Sequence, residues 1–156
     1  MAINIINYES KYQPDFKSLN LEWLDKYNLT ESHDLEILDD PQGTVIARGG
    51  CIFLAMDENK VIGTAGLWKE SEGDFELIKM FVDSAYRGRG ISKLLLDKCI
   101  DEAKQLGAKK MFLYSNSQLK TAIQLYKKYG FEHIPIVNAP FLTADIKMEL
   151  SLSLNS

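Results

Sequence analysis

The sequence contains little cysteine and little proline. Of its 156 residues only two are cysteine and four are proline. Neither Cys51 nor Cys99 belongs to a paired framework or to a spacing such as C-x-x-C, so we predict two buried free thiols and no metal site. Because no Pro- or Ser-rich linker, repeat or low-complexity tract divides the chain, we predict that residues 1–156 form a single domain.

Long apolar runs and an excess of positive charge are also missing. No stretch approaches the ~18 apolar residues of a spanning helix, and the N-terminal "MAINIINYESKYQ" has no basic segment followed by an apolar one. We therefore expect a cytoplasmic protein with no membrane partner. The net charge of -4 provides no overall attraction for nucleic acid, so an anionic ligand must be attracted locally.

The spacing of the apolar residues predicts a mixed α/β (α+β) fold. A strand "INIINY" precedes a helix over about 12–27 and a short helix with Thr30 or Ser32 as N-cap and Pro41 as stop. The runs "CIFLAMD", "KVIGTAGLWK" and "DFELIKMFVD" then predict an antiparallel meander. A helix ending at Gly107, the strand "KMFLY", another helix and the strands "FEHIPIV" and "ADIKMELSL" complete the order β-α-α-β-β-β-α-β-α-β-β.

The segment "YRGRGISK" combines basic residues with two glycines at the point where a strand leads into a helix. The first N–H groups of a helix lack intrahelical partners and lie at the positive end of its dipole. Gly88 and Gly90 let the backbone approach an anion closely, while Arg87, Arg89 and Lys93 add charge. A diphosphate suits this arrangement, although both common nucleotide motifs, G-x-x-x-x-G-K-[ST] and G-x-G-x-x-G, fail here. An Arg/Gly-rich surface loop that only caps a helix is the alternative.

Two motifs in this order resemble the GCN5-related N-acetyltransferase (GNAT) family. "RGRGIS" fits the family's Gln/Arg-x-x-Gly-x-Gly/Ala loop, with Ser92 where glycine or alanine is usual. "NSQLKTAIQLYKKYGF" carries Asn116, Ala122, Tyr126 and the Tyr-Gly-Phe ending of the family's next helix. The element order also matches along essentially the whole chain. The resemblance implies a mixed sheet of about seven strands flanked by about four helices, splayed between strands 4 and 5.

The resemblance also implies acetyl-CoA as cosubstrate. The pantetheine arm would pair with the backbone of residues 80–82, and the pyrophosphate would lie on the N–H groups of residues 87–92. The implied cofactor contacts are Met80, Phe81, Val82, Arg87, Gly88, Arg89, Gly90, Ile91, Ser92, Asn116 and Tyr126. For Asn116, simple capping of the following helix is the alternative.

Acetyl transfer from a thioester to an amine needs an unprotonated amine, a polarised carbonyl and a donor for the leaving thiolate. Tyr126 occupies the family's position for the acid, although its spacing from Leu119 alone would make it a core aromatic. Glu76 is our candidate base, since several members use a carboxylate on this strand through a water. The alternatives for the base are a water chain, no enzyme base, or His133, and Glu76 could instead be a rim carboxylate paired with lysine.

Strict alternation along "DFELIKMFVD" assigns Glu76 to one face of its strand. That face carries Ile78, Met80 and Val82, and the opposite face carries the remaining residues Phe75, Leu77, Lys79 and Phe81. The carbonyl of the thioester would be polarised by a backbone N–H near Met80 or Phe81, where splaying leaves donors unpaired.

These residues predict an N-acetyltransferase that moves acetyl from acetyl-CoA to a primary amine of a small molecule or amino acid, by direct attack in a ternary complex. "ELIKM" and "DIKMEL" resemble a bacterial subgroup that acts on such amines, although Phe141 and Thr143 replace an expected Tyr and Arg. In this family the closing strands often mediate a homodimer. The alternatives are a non-catalytic acyl-CoA-binding or sensory module of the same fold, and an interaction domain that binds no nucleotide.

Overall fold

The computed structural model describes residues 2–152, so residue 1 and residues 153–156 of the predicted domain lie outside it. Within this range the predicted order of elements is confirmed. The strands are β1 (Ile3–Asn7), β2 (Cys51–Asp57), β3 (Lys60–Ser71), β4 (Asp74–Val82), β5 (Lys110–Ser115), β6 (Glu132–Ile134) and β7 (Ile146–Ser151). The α-helices are α1 (Gln13–Lys26), α2 (Ser32–Asp39), α3 (Ile91–Gln105) and α4 (Lys120–Lys128).

The seven strands form one mixed sheet in the order β1-β2-β3-β4-β5-β7-β6. Neighbouring strands are antiparallel except β4 and β5, which run parallel. This confirms the predicted meander of β2, β3 and β4. It also explains why α3 lies between β4 and β5 in the chain, because parallel neighbours need a crossover connection.

Helices cover both faces of the sheet, so β2 and β3 are buried on both sides. Alternate residues of β2 belong to different cores: Phe53 and Ala55 pack in the cluster that includes α3 and α4, while Ile52 and Leu54 pack in the cluster that includes α1 and α2. Strands covered on both faces are expected to read as continuous apolar runs, as "CIFLAMD" does. None of the helices in residues 2–152 has the length and apolarity required to cross a membrane.

The predicted N-cap of α2 is wrong. Glu31, rather than Thr30 or Ser32, occupies the cap position, and its carboxylate accepts from the backbone N–H of Asp34. The Asp34 carboxylate accepts in return from the N–H of Glu31 at 2.8 Å. This reciprocal capping box satisfies two N–H groups at once, and a single serine or threonine cap satisfies only one.

Three further predictions need adjustment. Pro41 does follow the end of α2, but it opens a π-helical turn (Gln42–Ile46) that the periodicity did not reveal. The strand predicted from "FEHIPIV" is limited to β6, because Pro135 has no N–H for the ladder. Both thiols are unpaired as predicted, but only Cys99 is fully buried, whereas Cys51 at the start of β2 is half-buried.

Candidate active site

The parallel strands β4 and β5 pair only at their first residues. The register joins Asp74 to Lys110, Phe75 to Met111 and Glu76 to Phe112, and pairing then stops although both strands continue. The implied splay between strands 4 and 5 is therefore confirmed. A cavity of about 570 Å³ opens between the diverging strands and is lined by both of them, by α1, by the start of α3, by α4 and by the loop between β6 and β7.

A β-bulge shapes the part of β4 that borders this cavity. The pairing with β3 joins Thr64 to Phe81 and Gly66 to Ile78, so Lys79 and Met80 together face one residue of β3. Lys79 has a φ of 52°, a left-handed conformation that is uncommon outside glycine. The extra residue reverses the alternation of side chains along the rest of the strand.

The bulge makes part of the predicted face assignment wrong. Ile78 shares the α1–α2 cluster with Phe81, whereas Met80 and Val82 pack in the α3–α4 cluster. Lys79, predicted opposite Glu76, instead reaches α2 on the same side of the sheet as Ile78. Strict alternation fails because a bulge inserts one residue without a partner.

One end of the cavity is built mainly from backbone at the start of α3. Gly88 and Gly90 have φ values of 78° and 75°, and a Cβ built on either would meet no heavy atom within 4 Å. Gly90 is the N-cap of α3, so the N–H groups of Ile91 and Ser92 in the first turn have no carbonyl of their own helix to bind. This end is positively polarised and sterically open, as an anion site requires.

The basic side chains around this end differ in position. Arg87 lines the cavity, with its guanidinium over the ring of Phe81 at 5.7 Å from the centroid. Arg89 extends over the ring of Tyr86 at 5.2 Å, and it is not among the cavity-lining residues. The N–H of Arg87 donates to the carbonyl of Ser84 at 3.4 Å, so it is engaged within the preceding turn. Further positive charge along the cavity comes from Lys93, Lys120 and Lys128.

Tyr126 is both a core residue and a cavity residue. It is 6% exposed, packs against Phe131 at 5.7 Å between ring centroids, and lines the cavity from α4. Burial raises the pKa of its phenol above the usual 10, and the nearby thiol of Cys99 adds to the shift. The periodicity that predicts a core aromatic and the motif that predicts a site residue are thus compatible.

Asn116 lines the cavity, but its side chain is engaged in local structure. Its Nδ2 donates to the carbonyl of Thr143 at 2.8 Å, and its Oδ1 accepts from the N–H of Gln118 at 3.0 Å. These bonds tie the turn before α4 to the β6–β7 loop. The N-cap of α4 is Leu119, so Asn116 stabilises the preceding turn rather than capping the helix.

Glu76 lies at the position where β4 and β5 part. It is 6% exposed and lines the cavity. Burial raises the pKa of its carboxyl to about 8, with a smaller contribution in the same direction from Glu70, while Lys79 and Lys147 oppose the shift. A carboxyl with this pKa can exchange a proton near neutral pH, as a general base must. By contrast, His133 is exposed on β6, opposite Met148, and does not line the cavity.

A buried ion pair borders the same end of the cavity. Lys79 Nζ, at the bulge, binds Asp34 Oδ1 on α2, and both residues are buried. Lys79 also lies over the ring of Phe141 at 5.4 Å from the centroid. Sequence reasoning missed this pair because its partners are separated by 45 residues and no local pattern connects them.

The β6–β7 loop completes the cavity beside this ion pair. Phe141 packs against His33 at 5.0 Å between ring centroids, and Thr143 is held by Glu31, which accepts from its N–H at 2.8 Å. Glu31 therefore caps α2 and fixes the loop at the same time. An aromatic wall of the cavity is formed by Trp23, Tyr27, Phe81, Tyr114 and Phe141.

Comparison with known proteins gives a consistent result. A family model described as the acetyltransferase (GNAT) family matches residues 13–131. The chain is 34% identical over 116 residues to YjgM of Escherichia coli K12, an uncharacterized N-acetyltransferase, and the match covers 70% of each chain.

Solved structures share the whole fold. The GNAT-family acetyltransferase from Staphylococcus aureus Mu50 matches with a TM-score of 0.90 and 27% identity, covering 97% of this chain and 100% of that one. The PaiA N-acetyltransferase of Thermoplasma acidophilum, solved with coenzyme A, matches with a TM-score of 0.75 and 18% identity over 97% and 99% of the two chains. With this fold, this cleft and these relatives, the chain belongs to the GNAT family of acetyltransferases.

Proposed function

We propose that residues 1–156 act as a single N-acetyltransferase domain that transfers acetyl from acetyl-CoA to a primary amine of a small molecule or amino acid. The observation that carries the proposal is the cleft itself: β4 and β5 part after Glu76, and an anion-compatible helix start, a buried phenol and a titratable carboxyl border one cavity. The relatives support it because those reported above are named as acetyltransferases.

In this proposal acetyl-CoA enters with its phosphates at the start of α3. The N–H groups from Gly88 to Ser92 and the side chain of Arg87 hold the pyrophosphate, while the pantetheine follows the unpaired edge of β4 along residues 80–82. The thioester then lies between Tyr126 and Glu76, where a backbone N–H near the bulge polarises its carbonyl. The fit is supported by the two glycines, because a side chain at either would project into the open space.

The acceptor amine approaches from the Glu76 end. A lysine-like ammonium has a pKa near ~10.4, so it must lose a proton before its nitrogen attacks the thioester carbon. Ionised Glu76 takes that proton, directly or through a water, and the neutral nitrogen attacks the thioester carbon. As the C–N bond forms and the C–S bond breaks, the nitrogen loses its second proton to the departing thiolate, which leaves the amide and the free thiol of coenzyme A. With a pKa of about 8, roughly a tenth of Glu76 is ionised at pH 7, and this fraction increases as pH rises.

Tyr126 stabilises the leaving thiolate. Burial keeps the pKa of its phenol well above the ~8.5 of a thiol, so complete proton transfer from the phenol to the thiolate is uphill. Its contribution is therefore a hydrogen bond to the sulfur as charge develops. The aromatic walls around Phe141 suit an acceptor with an apolar body, and the Lys79–Asp34 pair leaves little uncompensated charge beside it.

The proposal is tested by following thiol release from acetyl-CoA against a panel of amines, amino acids and peptides. We expect at least one primary amine to be acetylated, with Tyr126→Phe lowering its kcat by about 10- to 100-fold because one stabilising donor is lost. Tyr129→Phe is the matched control, since its hydroxyl binds Asp97 outside the cavity. Tight coenzyme A binding with no acetylated amine would instead support a non-catalytic acyl-CoA-binding or sensory module.

A further inference from the structure

A chain of hydrogen bonds connects α1 to the bulge of β4. The hydroxyl of Thr64 on β3 donates to the carbonyl of Lys79 at 2.6 Å. Asn20 on α1 lies behind it, with Nδ2 3.2 Å from Thr64 Oγ1, and accepts from Trp23 Nε1 at 3.0 Å. Asn20 and Thr64 are both completely buried. Two polar side chains without solvent contact thus satisfy each other at the back of the bulge.

Ring contacts extend this chain to both ends of the cavity. The indole of Trp23 stacks on Phe81, with 5.7 Å between centroids and 20° between planes, and both rings line the cavity. The guanidinium of Arg87 lies over the ring of Phe81. The contacts therefore run from the bulge, through the aromatic wall, to the basic residue before Gly88.

The bulge is the feature that this chain holds in place. Lysine rarely adopts a left-handed conformation, and such a conformation persists only where the surroundings over-determine it. The side chain of Lys79 is held by Asp34 and its carbonyl by Thr64, so two contacts maintain the conformation. The next residues, 80–82, belong to the part of β4 that lines the cavity and has no partner in β5.

We propose that Thr64, Asn20 and Trp23 are positioning residues, which set the backbone of residues 79–81 at the distance from the aromatic wall that acetyl transfer requires. The inference rests on the proposed function and adds to it residues outside the two sequence motifs. Thr64 and Asn20 act on the reacting atoms only through β4, whereas Trp23 also lines the cavity. Their loss should therefore reduce the chemical step more than it reduces cofactor affinity.

The test compares Thr64→Val, which keeps the size of the side chain but removes the hydroxyl, with Thr64→Ser, which keeps the hydroxyl. We expect the valine variant to lose about 10- to 100-fold in kcat, because small misplacements at a reacting centre have effects of this size. Its dissociation constant for coenzyme A, measured by calorimetry, should change by less than about threefold. The serine variant should retain kcat near that of the wild type. Ile62→Val, which removes a buried methylene from the same strand, controls for general destabilisation.

A valine variant with wild-type kcat, or a serine variant as impaired as the valine variant, would overturn the proposal. If the valine variant does not fold, Trp23→Phe decides, because it keeps an aromatic ring against Phe81 and removes the donor to Asn20. Its kcat is measured at saturating acceptor, so that a weaker contact between the smaller ring and the acceptor changes KM instead. Here kcat should fall by about three- to tenfold, and an unchanged kcat would refute the role.

The two proposals can fail separately. If the wild type acetylates no amine, the proposed function fails. The positioning role of Thr64 is then tested by the rate of hydrogen exchange at the amides of residues 80–82 with coenzyme A bound. Faster exchange in Thr64→Val than in Thr64→Ser would support positioning by the hydroxyl. Equal exchange in the two variants would overturn it.

Discussion

The two ends of the cleft are built in different ways. At the start of α3, neighbouring residues present backbone N–H groups, and both glycines have positive φ. At the Glu76 end, side chains arrive from separate elements: Asp34 from α2, Glu76 and Lys79 from β4, and Phe141 from the β6–β7 loop. The first end depends on local conformation and the second on the packing of distant segments.

This difference corresponds to a difference in chemistry. Backbone donors suit a ligand part that is the same in every reaction, and in the proposed function that part is the pyrophosphate of coenzyme A. Side chains can be substituted without altering the strand or helix that carries them. They therefore suit the recognition of an acceptor that differs from one enzyme of the fold to another. The following substitutions separate the two ends, in order of decreasing expected effect.

Glu76→Gln should have the largest effect. Loss of a general base typically reduces the rate by about 10²- to 10⁴-fold, and we expect a loss of kcat/KM in this range. In the wild type, kcat/KM should rise with pH through a group with a pKa of about 8, and this titration should be absent from the variant. Profiles measured for both proteins, with the exposed Glu132→Gln on β6 as control, provide the check. A variant that retains both rate and titration would show that Glu76 is not the base.

The same substitution should stabilise the folded protein at alkaline pH. Below the ordinary pKa of 4.5 the carboxyl is protonated in both states and has no cost. Between pH 4.5 and about 8 the folded state keeps a proton that the unfolded chain has released, so the free energy of unfolding falls as pH rises. Above pH 8 the difference between wild type and Glu76→Gln should approach about 5 kcal/mol at most, because each pKa unit corresponds to about 1.4 kcal/mol.

Urea unfolding of both proteins at pH 5 and pH 9 measures this difference. The variant should be the more stable protein at pH 9, and its advantage should shrink at pH 5. An equal advantage at the two pH values would contradict an elevated pKa for Glu76 in the folded state.

Gly90→Ala tests the backbone end. Alanine at a φ of 75° is strained, and its methyl would project into open space where the pyrophosphate is proposed to lie. Gly107, at the end of α3, has a φ of 82° with nothing within 4 Å of a built Cβ, so Gly107→Ala carries similar strain outside the cavity. Both variants should lose about 1–2 kcal/mol of stability.

Coenzyme A affinity should distinguish these two glycine variants. By calorimetry, Gly90→Ala should bind about tenfold more weakly than the wild type, since part of the close backbone approach is lost. Gly107→Ala should bind as the wild type does. Equal affinities for the two variants would mean that the turn at the start of α3 does not contact the cofactor.

Phe141→Ala should have the smallest effect, and its effect should depend on the acceptor. The ring contacts His33, Lys79 and Tyr114 at the side-chain end of the cavity. Its removal should change the relative kcat/KM of bulky and small amines by several-fold, about 1–2 kcal/mol of discrimination, and leave the KM for acetyl-CoA unaltered. Steady-state kinetics with a series of amines of increasing size would test this, and a uniform loss for all of them would argue against contact with the acceptor.

Several features could be predicted from sequence because their cause is local. Apolar periodicity identifies the strands and helices, and the short turns between three successive strands indicate the antiparallel meander of β2, β3 and β4. "RGRGIS" places glycines and arginines at a strand-to-helix junction, which already indicates an anion site. Tyr126 and Asn116 were found through a motif of fixed spacing within one turn and helix, and both line the cavity.

Other features depend on contacts that have no local signal. The bulge at Lys79 reverses the side-chain alternation, because its conformation is held by Thr64 and Asp34 from other elements. The N-cap of α2 was missed because Glu31 serves α2 and the β6–β7 loop together. The pKa of Glu76 likewise follows from burial that only the assembled sheet provides.

The sequence by itself determined the order of elements, the glycine-containing turn before α3 and the position of the phenol on α4, since each follows from residues within a few positions of one another. Only the tertiary structure decided where β4 leaves β5, which side of the sheet each residue after Lys79 faces, and which distant side chains surround Glu76. The physical reason is that backbone conformation depends largely on neighbouring residues, whereas burial and side-chain contacts depend on segments brought together by folding.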